Sequence, residues 1–180
     1  MIKTIALLVG LAVMLAIGAL LIYAASRPKV LAVQRSALIQ APAEKIHPLI
    51  NDLHRFNIWN PYGKKDPALK GSYRGPASGP GAGYDFEGNK DVGKGSLLIT
   101  DAAAPTRVTM QLDMIAPMEG HNTIDFTLAP RGEATEVTWA MHGPSPFIAR
   151  LAGVLFDMDR MIGRDFEAGL ANLKSVAERP

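Results

Sequence analysis

The chain has no cysteine, which excludes an acylated lipoprotein anchor and any thiolate metal ligand. A cysteine-free chain suits either side of a membrane, so the compartment stays open on that count. Charge of one sign is also lacking. Of 19 Lys and Arg only Lys3 precedes residue 27, leaving 18 basic against 17 acidic side chains, a formal excess of one. A nucleic-acid surface needs clustered basic residues, and none stand out, so nucleic acid is excluded as a partner. Internal repeats and low-complexity tracts are missing too.

What is present is a long apolar run. Residues 5–25 hold 21 consecutive residues without a charge. At ~1.5 Å per residue this is roughly 31 Å of helix, enough for a ~30 Å hydrocarbon core. The rival is a cleaved signal, for which Ala24-Ala25-Ser26 offers small residues. Signal cores are usually ~7 to 15 residues long, however, and only Lys3 charges the leading side. The sequence therefore predicts residues 1–26 as a single-pass anchor, 27–30 as a linker and 31–180 as one domain of ~150 residues. Lys3 flanks one side and Arg27, Lys29 and Arg35 the other. Positive-inside bias leans toward a cytoplasmic domain, ordinary signal-anchor topology toward export, and the side stays open.

The domain reads in three stretches. Residues 31–40 predict a strand, after which Ala41-Pro42 opens a helix with Pro at the first helical position. Ile46, Leu49, Ile50, Leu53 and Phe56 follow at helical spacing, with a kink expected at Pro48. Period two then takes over. Tyr84 and Phe86, Leu97 and Ile99, Val108 to Met114, Ile124 to Leu128 and Val137 to Met141 alternate with polar residues, predicting an antiparallel meander with one buried face. Last, Phe147, Leu151, Leu155, Met158, Ile162, Phe166, Leu173 and Val176 fall on one helical stripe, read as one long C-terminal helix. Gly153, Gly163 and Gly169 within it predict bends or close contact with strands.

This α+β order resembles the helix-grip fold of the START and Bet v 1-like (SRPBCC) superfamily, whose bacterial members include polyketide cyclase/dehydrase-like proteins. The resemblance rests on Ala41-Pro42-Ala43-Glu44-Lys45-Ile46, on Asn51-Asp52-Leu53-His54-Arg55-Phe56 leading into Trp59-Asn60-Pro61, on Thr135-Glu136-Val137-Thr138-Trp139, and on the run from Asp165 to Lys174. It implies a curved sheet wrapped around the C-terminal helix, with a cavity between them for lipids or other apolar molecules. Met110, Met114, Met141 and Met158 take inward positions, where methionine supplies adaptable lining. Trp59 and Trp139 offer ring area with an indole donor, and Tyr84 and Ile162 complete the candidate lining. The same spacings equally suit plain core packing.

Catalytic chemistry has no visible team. His121 and His142 share strand faces opposite the core, while His47, Asn51 and His54 share a helical flank expected to be partly exposed. Helical His-x-x-x-His spacing is absent, so neither a metal nor a cofactor is expected. The glycine-rich stretch 75–83 enters a strand and lacks the Lys-Ser or Lys-Thr of a phosphate loop, predicting a hairpin loop over a cavity mouth. The reading is a membrane-anchored binding domain for a hydrophobic small molecule or lipid. Its rivals are a cyclase or dehydrase-type enzyme and a non-catalytic envelope scaffold with a filled interior.

Overall fold

Alternating side chains set the sheet. Val108 and Met110, Ile124, Phe126 and Leu128, and Val137, Trp139 and Met141 are all buried, while the polar residues between them face outward or sit half-buried. The computed structural model describes residues 2–179. Met1 and Pro180, at the outer ends of the segments expected from the sequence, and the side chains of Ile2 and Lys3 lie outside the described residues.

Helix α1 (Ile2–Ser26) is long and apolar enough to cross a membrane, and most of the apolar side chains described along it are exposed, Ala24 near its end being buried. Strand β1 (Val30–Ile39) follows, then helices α2 (Ala43–Asn51), α3 (Leu53–Trp59) and α4 (Tyr62–Lys65). Six strands form the meander: β2 (Lys70–Arg74), β3 (Gly83–Glu87), β4 (Lys94–Ala103), β5 (Arg107–Ala116), β6 (Gly120–Arg131) and β7 (Ala134–Pro144). Helices α5 (Phe147–Leu155) and α6 (Met158–Ala177) end the chain. The sheet runs β1-β7-β6-β5-β4-β3-β2, antiparallel throughout, with Arg35 opposite Trp139 where the first strand closes on the last. Every residue of β2 is exposed, so no apolar alternation marked this edge strand in the sequence.

Three local readings are corrected. Pro42 caps α2 with extended backbone (φ −69°, ψ 152°) and does not occupy its first turn. Pro48 stays within α2, and the interruption comes at Asp52, whose carboxylate accepts the amide of His54 at 2.8 Å and starts α3. The single C-terminal helix is two. Phe156 is extended (φ −123°, ψ 132°), and Asp157 restarts the chain as α6 by accepting the Arg160 amide at 3.0 Å.

Helix α6 lies along β1 and over the concave face. Phe166, Leu170, Leu173 and Ala177 are buried there. Lys174 Nζ donates to the Leu38 carbonyl at 2.9 Å, and the Gln40 amide donates to Glu178 at 2.7 Å. Two of the three helical glycines mark close approach: a Cβ at Gly169 would come within 2.6 Å of Trp139, and one at Gly163 would overlap the Arg35 guanidinium, whereas Gly153 faces open space.

Candidate functional site

The space between sheet and α6 is occupied by aromatic rings. Trp59 meets Trp139 edge-on at 5.7 Å, Phe126 lies 5.0 Å from Trp139, and Phe166 stacks on it at 4.2 Å. Such pairs add ~0.5–1.5 kcal/mol each beyond the area they bury. Trp59 Nε1 donates to the Leu49 carbonyl at 2.8 Å, so its polar handle is committed to the fold. Trp139 Nε1 is buried and finds no acceptor among the described residues. Met110 and Met141 join the same core. Tyr84 packs 4.8 Å from Tyr73, and its phenol is pushed up by burial and by that neighbour. Met114 and Ile162 are half-buried, Ile162 against the core. Of the eight candidate lining residues, Met158 alone borders the larger open space described next.

That space is a groove of about 600 Å³ at the opposite end of β7 from its turn with β6. Leu31 and Ala32 of β1, Ala149, Gly153 and Val154 of α5, and Met158 at the start of α6 line it, together with Arg27 and Pro28 where α1 ends. Its local architecture follows from two ties. The Ser145 amide donates to the Lys29 carbonyl at 2.8 Å, and Arg150 Nη1 donates to the Ala25 carbonyl at 2.8 Å. The second tie places a cation on the carbonyl end of α1, where the helix dipole favours it. Loss of the helical phase at Phe156 turns α5 away from the core and leaves the groove between α5 and β1.

The groove's carboxylates are engaged. Arg35 binds Asp159 through Nη2 at 2.9 Å and Glu167 through Nε at 2.9 Å. The Arg35 hydrogen bond holds the Asp159 carboxyl below the usual carboxylate range, and the two acids together raise Arg35. Asp157 caps α6. The strand histidines face outward: His121 hydrogen-bonds Asp113 at 2.6 Å, and His142 lies 3.7 Å from Asp125. The Asp113 carboxyl is lowered chiefly by that His121 bond.

The flank of α2 differs from expectation. His47 is buried and its Nε2 lacks a partner among the described residues, as does Asn51 Oδ1, and the two line a polar recess of about 310 Å³ with Asp52, Arg55 and Ser78. The glycine-rich loop borders this recess through Ser78 and is fastened beside it: the Gly79 amide donates to the Asn51 carbonyl at 3.0 Å and the Gly81 amide to the Ile99 carbonyl at 2.8 Å. Positive φ at Gly75, Gly79 and Gly81 lets the loop turn this way. The loop shares no lining residue with the larger groove. Asn51 is half-buried and His54 exposed, as expected of the flank, His54 stacking on Tyr73 at 3.6 Å; His47 alone of the three is buried. Among the described residues, no cluster of three His, Asp or Glu could hold a metal ion.

A family model described as polyketide cyclase / dehydrase and lipid transport matches residues 31–178. No match is found among curated proteins. Among solved structures, a Chromobacterium violaceum protein is similar over 86% of this chain and 100% of its own, at 14% identity and TM-score 0.59. The ginseng (Panax ginseng) major latex-like protein is similar over 84% and 100%, at 10% identity and TM-score 0.59. The Aha1 protein of Colwellia psychrerythraea, solved as a dimer, is similar over 82% and 96%, at 19% identity and TM-score 0.55. At these identities the likeness concerns the fold.

Proposed function

Because the chain belongs to the polyketide cyclase / dehydrase and lipid transport family, we propose that it is a membrane-anchored binding protein for an apolar small molecule or lipid, taken up between the β1 edge of the sheet and the C-terminal helices. The observation that carries the reading is the position of the groove. Arg27 and Pro28, which leave the apolar helix, are also groove lining, so an inserted α1 holds the groove at the bilayer surface. A sparingly soluble ligand is concentrated in that bilayer. The volume of about 600 Å³ falls within the ~300–1,000 Å³ of small-molecule sites. Met158, Leu31 and Val154 give apolar contact, while Arg27 and Arg150 suit an anionic head.

Binding without catalysis fits the chemistry of the walls, since Asp157 and Asp159 are tied to a helix cap and an ion pair and both strand histidines point outward. A packed envelope scaffold is favoured by the filled aromatic interior, and it predicts an empty groove. Native mass spectrometry of the gently extracted full-length chain separates the two. A lipid-sized mass adduct that Gly153→Trp removes is expected, since the new ring enters open space within the groove. An adduct unchanged by that variant, or none in either protein, sinks the binding reading.

A further inference from the structure

Helix α5 is apolar along its length yet buries no residue fully. Ile148 and Leu155, seven residues apart and so on one face, are 64% and 73% exposed. Phe156, between α5 and α6, and Met161, in the first turn of α6, are 57% and 55% exposed. So many exposed large apolar side chains on one short stretch of chain mark a contact surface. Its single charged side chain, Arg150, is turned aside to the Ala25 and Arg27 carbonyls. That bond fixes α5 against the last turn of α1, where Ala24 is fully buried. Only Arg27-Pro28-Lys29 separates the end of α1 from the start of β1.

We infer that α5, with Phe156 and Met161, is an interfacial helix that lies in the headgroup–acyl boundary of the bilayer spanned by α1. The inference rests on the membrane-anchor reading above and names the surface by which the domain meets that membrane. Continuity decides the occupant. An inserted α1 ends at the headgroup level, and α5 is held beside that end. Its exposed residues have the apolar face of an interfacial helix, which sinks ~5–10 Å into the boundary. Arg27 and Lys29, both exposed, stand where anionic headgroups attract basic residues. The groove, which shares Gly153 and Leu155 with α5, then opens onto lipid, and a ligand passes between them without crossing water.

The absence of native cysteine allows single labels in the full-length chain. Ile148→Cys, Leu155→Cys, Ile17→Cys within α1 and Glu133→Cys in the β6–β7 turn would each carry a nitroxide, in vesicles of phosphatidylcholine with phosphatidylglycerol. Collision with oxygen reports lipid and collision with a water-soluble nickel chelate reports solvent. The expected order of depth is Ile17 deepest, Ile148 and Leu155 intermediate, and Glu133 in water. Labels at 148 and 155 as nickel-accessible as that at 133, with 17 still deep, would overturn the inference and leave the anchor standing. A water-exposed label at 17 removes the anchor itself. Labels at 148 and 155 shielded from both reagents would assign the patch to a second copy of the chain and overturn the lipid contact.

Discussion

The ring of Phe166 lies flat on the indole of Trp139, centroids 4.2 Å apart and planes 11° from parallel. This contact joins α6 to the centre of β7, and through Trp139 to Trp59 and Phe126. The helix is therefore fastened to the sheet by the same residues that fill the sheet's concave face. The larger open groove lies away from this contact, toward the end of α1.

Phe166 is 1% exposed, and its truncation to alanine is expected to cost about 3–5 kcal/mol, the range for a buried phenylalanine. Chemical denaturation checks this. A loss below about 1 kcal/mol would mean that the stack contributes little to holding α6.

Two glycine substitutions in the same helix should part company. At Gly169 a methyl group meets Trp139 Cζ3 at 2.6 Å and Pro61 at 3.1 Å, atoms locked in the core. Gly169→Ala should lose about 1–3 kcal/mol through overpacking. At Gly163 the obstacle is the end of the Arg35 side chain, which can swing away. The helix gains ~1 kcal/mol from alanine, which offsets the loss of the solvent-screened Arg35 ion pairs, so Gly163→Ala should be close to neutral. Equal denaturation midpoints for the two variants would refute the distinction.

The lowered carboxyl of Asp159 makes its Arg35 pairing sensitive to acid. A carboxyl whose folded pKa is depressed contributes stability above its unfolded value, near ~3.9, and loses it as pH falls through the folded value. Asp159 is largely exposed, so the effect should stay under about 1 kcal/mol. Asp159→Asn is expected to flatten the fall in stability on the acid side of the ordinary carboxylate range, while removing some stability at neutral pH. An unchanged acid limb would show that the pair carries no linkage.

Removal of residues 1–28 should leave a soluble, folded core but release α5 from its tie to Ala25. Hydrogen exchange is expected to quicken in α5 and to hold steady in α6, whose contacts lie mainly on β1, with α2, α3 and β7. Slow exchange in α5 without α1 would show that the domain alone holds that helix.

His121→Ala and His142→Ala should leave any lipid adduct of the full-length protein unchanged, because both rings sit on the outer face beside Asp113 and Asp125. Loss of the adduct in either variant, detected by native mass spectrometry, would relocate the binding surface to the convex side of the sheet.

Periodicity alone determined much of this protein. An uncharged run declared α1, alternation declared the inner faces of β5, β6 and β7, and the stripe through Phe166 and Leu173 declared the side of α6 that meets the sheet. These patterns are local, because each residue's face follows from its own helix or strand. What covers a face is a long-range matter, and there the chain had to fold. His47 is buried, and the distant glycine-rich loop is tied to the end of α2 through the Gly79 amide and the Asn51 carbonyl. Phe147 and Leu155 fit the α6 stripe by spacing, yet one extended residue at Phe156 broke the phase and left α5 beside α1. Methionines and tryptophans at inward positions could line a cavity or fill it. Only the packing of Phe56, Trp59, Phe126, Trp139 and Phe166 around one another filled that space, and left the larger groove beside the apolar helix.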